Sequence, residues 1–529
     1  MPLVVLKKYA LLLLITGMMA IFHPGAVQAA HEDRVRLDSK VVEERLSSAA
    51  IFEHVVLQGV TGIAKDLKNM RLNNVGMDRV VLDRSDMRDA IIMDSDGYKS
   101  SMKSANLNGV KIHRTVFDTM GMTDSEMNYV VLSGCQIRSS NLNKTSLKGA
   151  FIDDTTIIDT DLSNADLSYS VVNATLENVL LKKADCHGLH IYDSKLYACD
   201  LSQANVSGAK FEKVVVASKK KVQSVLREIN LSFACLKMVD MVSVDLSGSF
   251  MRGITADNCK FSYSNLSNTR INDSLLTNIS FKGADLRFAE IKKTRAREAQ
   301  FAGANISGAD LRGSDFDKSV FDDAILQKVK LDGASLRNAS LKNADLSFAS
   351  LAFSNLDSSD LSGSVFHAVD LTKTELSGVV LNTVRFKGVN LTGAKLAGVT
   401  MKNSTWINVN FSKAVLSGCD LSNSTIKNCV FDGADMSDVN LKGCVMEETS
   451  MKGVSLRKAD MRNMECLKVN FEKAVLKEAS LKNAVIDKCT VAYADFSDVD
   501  IKGAEIKNTS FKHAHGVQAI RNADKTQGF

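Results

Sequence analysis

Apolar residues recur at every fifth position along most of this 529-residue chain. From Phe301 to Phe511 the pattern holds without a polar exception, and a small or β-branched residue commonly stands two places before each large one, as at Ala304 and Ala309. A period of five fits neither the 3.6 of an α-helix nor the 2 of a flat strand. It predicts a chain that turns a corner once per unit, pointing the large and the small residue inward and three residues outward.

No such unit can bury its apolar pair alone, so stacked neighbours must supply the core. Glycine or asparagine often stands two places after the large residue, as at Gly313 and Asn343, which is turn chemistry suited to tight corners. Both prolines of the chain, Pro2 and Pro24, lie near its start. Proline lacks a backbone donor, so its absence from the remaining residues favours one continuous hydrogen-bonded ladder.

Two stretches show the unit at its most regular, Ala309-Asp310-Leu311-Arg312-Gly313 and Ala344-Asp345-Leu346-Ser347-Phe348. They resemble the pentapeptide-repeat family, whose consensus is Ala-Asp/Asn-Leu-x-x, and the resemblance covers roughly residues 50 to 513. It implies an all-β fold, a right-handed quadrilateral parallel β-helix. With about 20 residues per coil it implies about 23 coils, and a rod about 110 Å long at about 4.8 Å per rung. The apolar pattern from His31 to Ala50 adds a short N-terminal helix.

The N-terminal segment has the features of an export signal. Lys7 and Lys8 precede an apolar run that ends at Phe22, and Val27-Gln28-Ala29 is a small-x-small cleavage pattern. We expect residues 1–29 to be a signal peptide and the protein to be exported by a bacterium, into the periplasm or outside the cell.

The remaining chain divides where the pattern changes. We expect an N-terminal helical cap at 30–50, solenoid at 51–216, a helical and basic interruption at 217–230, solenoid at 231–513 and a tail at 514–529. The interruption is predicted from apolar residues at helical spacing, from Val222 to Ile229, after Lys219-Lys220-Lys221. The period also breaks near Val172, where one residue is missing, and near Ala296. A last coil left partly open predicts a homodimer formed through that end of the solenoid.

The ten cysteines and the histidines give no strong sign of a chemical site. Most of the cysteines occupy inward positions, which favours small buried thiols over disulfides. The segment Cys186-His187-Gly188-Leu189-His190 has metal-ligand residue types, but its register points both histidines outward. Sequence signatures of a P-loop, a serine hydrolase or a zinc protease are absent. We therefore expect no enzyme, no catalytic residue, no cofactor and no metal.

Charged residues suggest two candidate interaction surfaces. The formal charge of +5 falls to +3 without Lys7 and Lys8, which is too balanced to predict nucleic-acid binding. Residues in equivalent positions of successive coils should stack, however, which predicts a basic stripe near the C-terminal end, defined as Lys402, Lys442, Arg462, Lys482 and Lys502. Asp420, Asp460 and Asp500 lie on the same side and could neutralise members of this stripe. A second group of basic residues falls at the breaks: Lys219, Lys220, Lys292, Lys293, Arg295 and Arg297.

These features favour a non-catalytic exported solenoid that acts as a scaffold or interaction surface for a protein or an anionic envelope component. A secreted effector or adhesin-like factor is an alternative that the sequence leaves open. A carbohydrate-active β-helix enzyme would need long loops and converging polar groups, which are few here. The resemblance also brings in gyrase inhibitors that imitate DNA, but the signal peptide and the balanced charge oppose that function.

Overall fold

The structure, a computed structural model, describes residues 34–46, 51–61, 65–218 and 222–517. These residues wind into a parallel β-solenoid of about 23 turns. A residue at positive φ marks a corner at about every fifth position, from His54 to His513. Each turn has four sides, because the backbone ladder joins a residue to the one four units later, as in Val131 with Phe151. The predicted fold class is therefore confirmed.

The first sheet runs through the N-terminal half and winds over two adjacent sides of the solenoid. Its strands are β1 (Val35–Arg36), β2 (Ile51–Glu53), β3 (Val55–Gln58), β4 (Arg71–Asn73), β5 (Gly76–Asp78), β6 (Ile91–Met93), β7 (Asp96–Tyr98), β8 (Lys111–His113), β9 (Val116–Asp118), β10 (Val131–Ser133), β11 (Gln136–Arg138), β12 (Phe151–Ile158), β13 (Val171–Glu177), β14 (His190–Tyr192), β15 (Lys195–Tyr197), β16 (Lys210–Glu212), β17 (Val215–Ala217), β18 (Cys235–Lys237), β19 (Thr255–Asp257) and β20 (Leu275–Thr277).

The second sheet lies on one side of the C-terminal part, and isolated bridges continue the ladder through the turns between the two sheets. Its strands are β21 (Val365–His367), β22 (Arg385–Lys387), β23 (Thr405–Ile407), β24 (Thr425–Lys427), β25 (Val445–Glu447), β26 (Glu465–Leu467), β27 (Val485–Asp487) and β28 (Glu505–Lys507).

The polar residue before each large one helps to form the corner. The carboxylate of Asp285 accepts a hydrogen bond from the backbone N–H of Arg287 at 3.1 Å, and Asp166 accepts one from the N–H of Ser168 at 2.8 Å. Asn205 does the same for Ser207 at 3.3 Å. Asp and Asn hold a turn in this way by imitating a backbone acceptor. Their recurrence at this position is therefore explained by the backbone rather than by acid–base chemistry.

The N-terminal cap combines a strand with a helix. Strand β1 pairs with β3, and α1 (Ser39–Leu46) follows it. Asp38 caps α1, because its carboxylate accepts the N–H of Lys40 at 2.8 Å. The buried side chain of Arg34 forms an ion pair with Asp96 and donates from Nε to the Asn74 carbonyl oxygen at 2.9 Å. Within the predicted cap at 30–50, the helix spans Ser39–Leu46 and Val35 lies in a strand, while residues 30–33 and 47–50 lie outside the described residues.

The break predicted near Val172 is a real change of register. Val171 pairs with His190 and Asp161 with Leu180, so this turn is one residue shorter than the turns before it. Strand β13 is continuous across the corner where the residue is missing. The ladder with the turn before it, β12, shifts register between Ile152 and Thr155. One deleted residue is therefore absorbed locally, without ending the solenoid.

The helix predicted within 217–230 is wrong for its described part. Residues 222–230 form part of a solenoid turn in which Leu226 and Ile229 point inward and are buried, whereas Val222 is exposed. Asp200 pairs with Val225, so this turn is one five-residue unit longer than a regular turn. The error has a simple cause. In a five-residue repeat each large residue and the next small one are three positions apart, which imitates the i, i+3 spacing of a helix.

The break predicted near Ala296 is also wrong. Leu275, Arg295 and Asp315 pair at the regular interval of four units through this segment. Ala296 itself is completely buried in the position of a large residue. A small side chain at one inward position therefore leaves the backbone ladder intact, because the ladder bonds join main-chain groups of successive turns.

The interior is a single column of stacked inward residues. From Phe261 to Phe321 aromatic rings stack on successive turns, and the ring centroids of Phe301 and Phe321 lie 4.6 Å apart. A second stack includes Phe386 and Trp406, with centroids 4.2 Å apart. Between Leu132 and Phe211, by contrast, mostly aliphatic side chains surround an apolar cavity of about 50 Å³.

Candidate interaction surfaces

The predicted basic stripe lies along one side of the solenoid. Backbone bridges connect Thr400, Asp420, Asn440, Asp460, Ser480 and Asp500 in successive turns. The stripe residues follow two positions later, so Lys402, Lys442, Arg462, Lys482 and Lys502 occupy equivalent positions on that side. Ser422 interrupts the row.

Acidic neighbours neutralise part of this stripe. Lys402 Nζ lies 3.0 Å from Asp420, an Arg462 guanidinium nitrogen lies 2.6 Å from Asp460, and Lys482 Nζ lies 2.9 Å from Asp500. The Arg462 guanidinium holds the pKa of Asp460 below its usual value, so this carboxylate is charged at neutral pH. Lys442 and Lys502 form no ion pair within 4 Å in the part of the chain that the structure describes. Three carboxylates therefore oppose five basic groups.

The basic residues at the predicted breaks do not join this stripe. Lys292 Nζ pairs with Glu290 at 2.8 Å, and Arg297 Nε pairs with Asp315 at 2.6 Å. Lys293 and Arg295 are exposed on the same turn, about five turns before the stripe begins. Lys219 and Lys220 lie outside the described residues.

The histidines of the Cys186–His190 segment do not assemble a metal site with the described residues. Cys186 is buried, while His187 and His190 are partly exposed. The His187 ring meets Tyr169 edge-on at 5.4 Å between centroids, and its Nδ1 lies 2.9 Å from the Ser207 hydroxyl. Burial and the nearby Lys210 lower the pKa of His190, which favours its neutral form.

Nine of the ten cysteines are buried, as their register predicted, and Cys235 is exposed. The thiols of Cys135 and Cys419 donate to carbonyl oxygens of the preceding turn, Ile112 and Leu396, as the Ser170 hydroxyl does to Leu147. Burial raises the pKa of Cys186 to about 12, which suppresses its reactive thiolate form. These thiols act as small packing residues.

The family model described as pentapeptide repeats matches more than half of the chain, at residues 125–168, 240–278, 264–301, 279–317, 324–363, 344–382, 364–403, 394–433, 407–443, 429–463 and 465–503. The chain belongs to the pentapeptide-repeat family.

Solved pentapeptide-repeat proteins align with parts of the solenoid. HetL, involved in heterocyst differentiation regulation in the cyanobacterium Nostoc sp. strain PCC 7120, is 21% identical over 42% of this chain and 90% of its own, with a TM-score of 0.25. QnrB1, a plasmid-mediated fluoroquinolone resistance protein, is 17% identical over 38% of this chain and 92% of its own, with a TM-score of 0.23. Rfr23 from the cyanobacterium Cyanothece 51142 is 23% identical over 24% of this chain and 89% of its own, with a TM-score of 0.18. A comparison with curated proteins gave no match.

The pentapeptide-repeat solenoid supports a non-catalytic repeat protein. Many of its carboxylates hold corners or pair with neighbouring cations, and its inward residues form the core. Among the described residues no helix is long and apolar enough to cross a membrane.

Sequence reasoning missed a set of exposed aromatic side chains. Each is more than half exposed and stands at a corner with positive φ, where this pentapeptide-repeat chain otherwise has many Gly and Asn residues. The signal was present, because these rings stand two positions after a large inward residue, in the place of the turn-forming residue. They are Tyr129, Tyr169, Phe233, Tyr263, Phe288, Phe348, Phe353 and Tyr493.

Proposed function

We propose that this protein is an exported, non-catalytic scaffold whose outward rows bind a protein or an anionic component of the cell envelope. Two observations support the proposal. The inward side chains are buried in the core, and the Asp and Asn residues before them accept backbone hydrogen bonds at the corners. What varies from turn to turn is the outward surface, which presents side chains at fixed intervals along the rod.

The basic stripe is the outward row that best fits an anionic partner. Lys442 and Lys502 lack ion-pair partners among the described residues, and they flank Arg462 and Lys482 on the same side. Unpaired lysines repeated along a rigid rod raise the local positive potential, which attracts an anionic surface or polymer. The neutralising carboxylates Asp420, Asp460 and Asp500 lower the expected affinity, and we expect binding that is weak and sensitive to salt.

A pull-down from envelope extracts and culture supernatant tests this surface. The full chain is compared with Lys442→Ser/Lys502→Ser, which removes the two unpaired charges. The matched control is Lys458→Ser/Lys488→Ser, which removes the same charge from exposed positions in neighbouring turns. We expect retained envelope material to fall in the first variant only, and to fall for the native chain as salt rises.

Equal retention by both variants would exclude the basic stripe as the binding surface. Export is tested separately by fractionation of cells that produce the tagged full chain. Recovery in the periplasm or supernatant is expected, and recovery only in the cytoplasm would contradict the proposal.

A further inference from the structure

One corner of the solenoid carries only aromatic residues and glycines over seven successive turns. Backbone hydrogen bonds join the turns: the N–H of Tyr129 donates to the Lys148 carbonyl at 2.9 Å, and the N–H of Gly149 donates to the Ser168 carbonyl at 2.9 Å. The same ladder continues through the shortened turn near Val172 and the lengthened turn before Val225. We define the aromatic–glycine corner as Tyr129, Gly149, Tyr169, Gly188, Gly208, Phe233 and Gly253.

The three rings rest on the glycine of the next turn. A Cβ added at Gly149 would lie 2.8 Å from Cε1 of Tyr129, so the ring occupies the space that a side chain would need. Tyr169 covers Gly188 and Phe233 covers Gly253 in the same way, each at 2.8 Å from the added Cβ. The rings are therefore held against the backbone, yet Tyr129 is 66% exposed, Tyr169 58% and Phe233 69%.

The corner conformation does not favour these residues. Tyr129, Tyr169 and Phe233 have φ of 57°, 58° and 60°, a region that bulky side chains rarely adopt. Glycine or asparagine would form the same corner with less strain. Large rings that are both exposed and conformationally disfavoured suggest a use other than folding.

Neutral hydrogen-bonding groups line the corner on one side. The residues that immediately precede the corner positions are Asn128, Lys148, Ser168, His187, Ser207, Ser232 and Arg252. Apart from Lys148 and Arg252, they carry neutral polar side chains. His187 is fixed by its edge contact with Tyr169 and by the hydroxyl of Ser207. The nearby carboxylates of Asp166 and Asp185 accept the backbone N–H groups of Ser168 and His187, so they hold the turns.

The spacing of the rings indicates a linear ligand. Tyr129 and Tyr169 are two turns apart, about 10 Å, and Phe233 lies three turns beyond Tyr169, about 14 Å. Protein-binding hot spots cluster their aromatic residues in a shared, desolvated pocket, whereas glycines separate these rings. A two-turn interval is close to the two-sugar repeat of an extended β-linked polysaccharide, whose sugar rings present flat C–H faces and peripheral hydroxyls.

We propose that the aromatic–glycine corner binds a neutral, extended β-linked polysaccharide. Tyr129, Tyr169 and Phe233 stack on the C–H faces of sugar rings and bury apolar area there. His187 and the neighbouring amide and hydroxyl groups bond the sugar hydroxyls. The proposal does not depend on the basic stripe, which lies in other turns and would bind by charge.

The test measures binding of the full chain to insoluble cellulose and chitin by co-sedimentation, with polygalacturonate in gel retardation as the anionic comparison. We expect salt-independent binding to at least one of the two neutral polymers. Each of Tyr129→Ala, Tyr169→Ala and Phe233→Ala should weaken it by about fivefold or more, the lower range for stacking on one ring. The changes are at exposed side chains, and circular dichroism checks that each variant keeps the native fold.

The matched control is Tyr263→Ala/Phe288→Ala. These rings also cover glycines, Gly283 and Gly308, but they stand at other corners. The control should bind like the native chain. Absence of binding to both neutral polymers, binding only to the anionic one, or an equal loss in the control would each overturn the proposal.

Discussion

Two regions of this solenoid share one repeat but fill their interiors differently. In the aliphatic turns, residues 132–211, the inward side chains surround a cavity of about 50 Å³. In the aromatic turns, residues 261–321, phenylalanine rings stack on successive rungs, with Phe281 and Phe301 centroids 5.1 Å apart and nearly parallel. The rung spacing of about 4.8 Å suits stacked rings, which fill the column continuously. Branched aliphatic chains leave a void along the same axis.

The difference shows what the five-residue pattern controls. It determines which positions point inward, because the backbone turns a corner once per unit. It does not determine how well those positions fill the column, since Leu and Phe both satisfy the pattern. Packing quality therefore varies along one continuous core, and the turns should differ in local stability although their ladders are the same.

The largest expected effect comes from breaking the aromatic stack. Phe301 is completely buried between Phe281 and Phe321, and Phe301→Ala should lower the free energy of unfolding of these turns by about 3–5 kcal/mol. Leu162→Ala, beside the existing cavity, should cost about 2–3 kcal/mol, because Leu162 has fewer atoms in contact to lose. Hydrogen exchange resolved by turn is the suitable measurement, since a long repeat array need not unfold in one step. Equal costs would contradict the comparison.

A smaller effect is expected from filling the cavity. Leu162→Phe places a ring into existing space and should stabilise the aliphatic turns by about 1 kcal/mol. The matched control is Leu286→Phe in the aromatic turns, where the residue is completely buried and lies outside the lining of the cavity. Overpacking there should destabilise by about 1–3 kcal/mol. Hydrogen exchange resolved by turn gives the sign for both variants, and destabilisation of similar size in both would show that the cavity cannot accept a ring.

The smallest effect per group is expected from acid. In the aromatic turns Arg287 and Arg312 pair with Asp285 and Asp310 at 2.6 and 2.7 Å, and each guanidinium lowers the pKa of its carboxyl below the ordinary 3.8. A lowered pKa contributes stability above the ordinary value, and that stability is lost as pH falls through the lowered pKa. Within residues 132–211, all of them described, no arginine pairs with a carboxylate, and Asp200, which accepts from Ser202 and lies 3.2 Å from Lys182, is the one carboxyl whose pKa is lowered.

Below about pH 4 the aromatic turns should therefore lose exchange protection earlier than their tighter packing alone would suggest. Exposed pairs contribute little each, so the expected change is below about 1 kcal/mol per pair. Protection factors measured between pH 5 and pH 2.5, corrected for intrinsic exchange, provide the test. Greater acid sensitivity in the aliphatic turns would contradict it.

The fold could be read from the sequence because its signal is repeated many times. Each unit from Phe301 to Phe511 carries the same inward pair, so a single exception cannot hide the period. The missing residue near Val172 was visible for the same reason. The helix predicted within 217–230 is wrong, because Leu226 and Ile229 are three positions apart in the repeat, as they would be on one face of a helix.

The candidate surfaces were less predictable. The four-unit turn predicts that the residues of the basic stripe stack. It also predicts that Asp420, Asp460 and Asp500 lie close enough to neutralise some of them. Which lysines lack a partner depends on side-chain geometry. Lys402 and Lys482 reach a carboxylate one turn further along, whereas the equivalent carboxylate for Lys442, Asp460, pairs with Arg462. The exposed rings occupy corner positions, and the repeat pattern explains such positions as turns, so it does not predict an aromatic surface there.

The sequence by itself determined the repeat, the inward positions, the burial of most cysteines and the register change near Val172, because each follows from a local pattern of five residues. Only the tertiary structure decided which residues meet across the irregular turns. The register passes through one turn that is a residue short and one that is a whole unit longer, and these two irregular turns bring Phe233 to the corner that Tyr129 and Tyr169 share. The physical reason is that contacts between turns depend on the sum of all residues wound between them, whereas contacts within a unit depend on its own five residues.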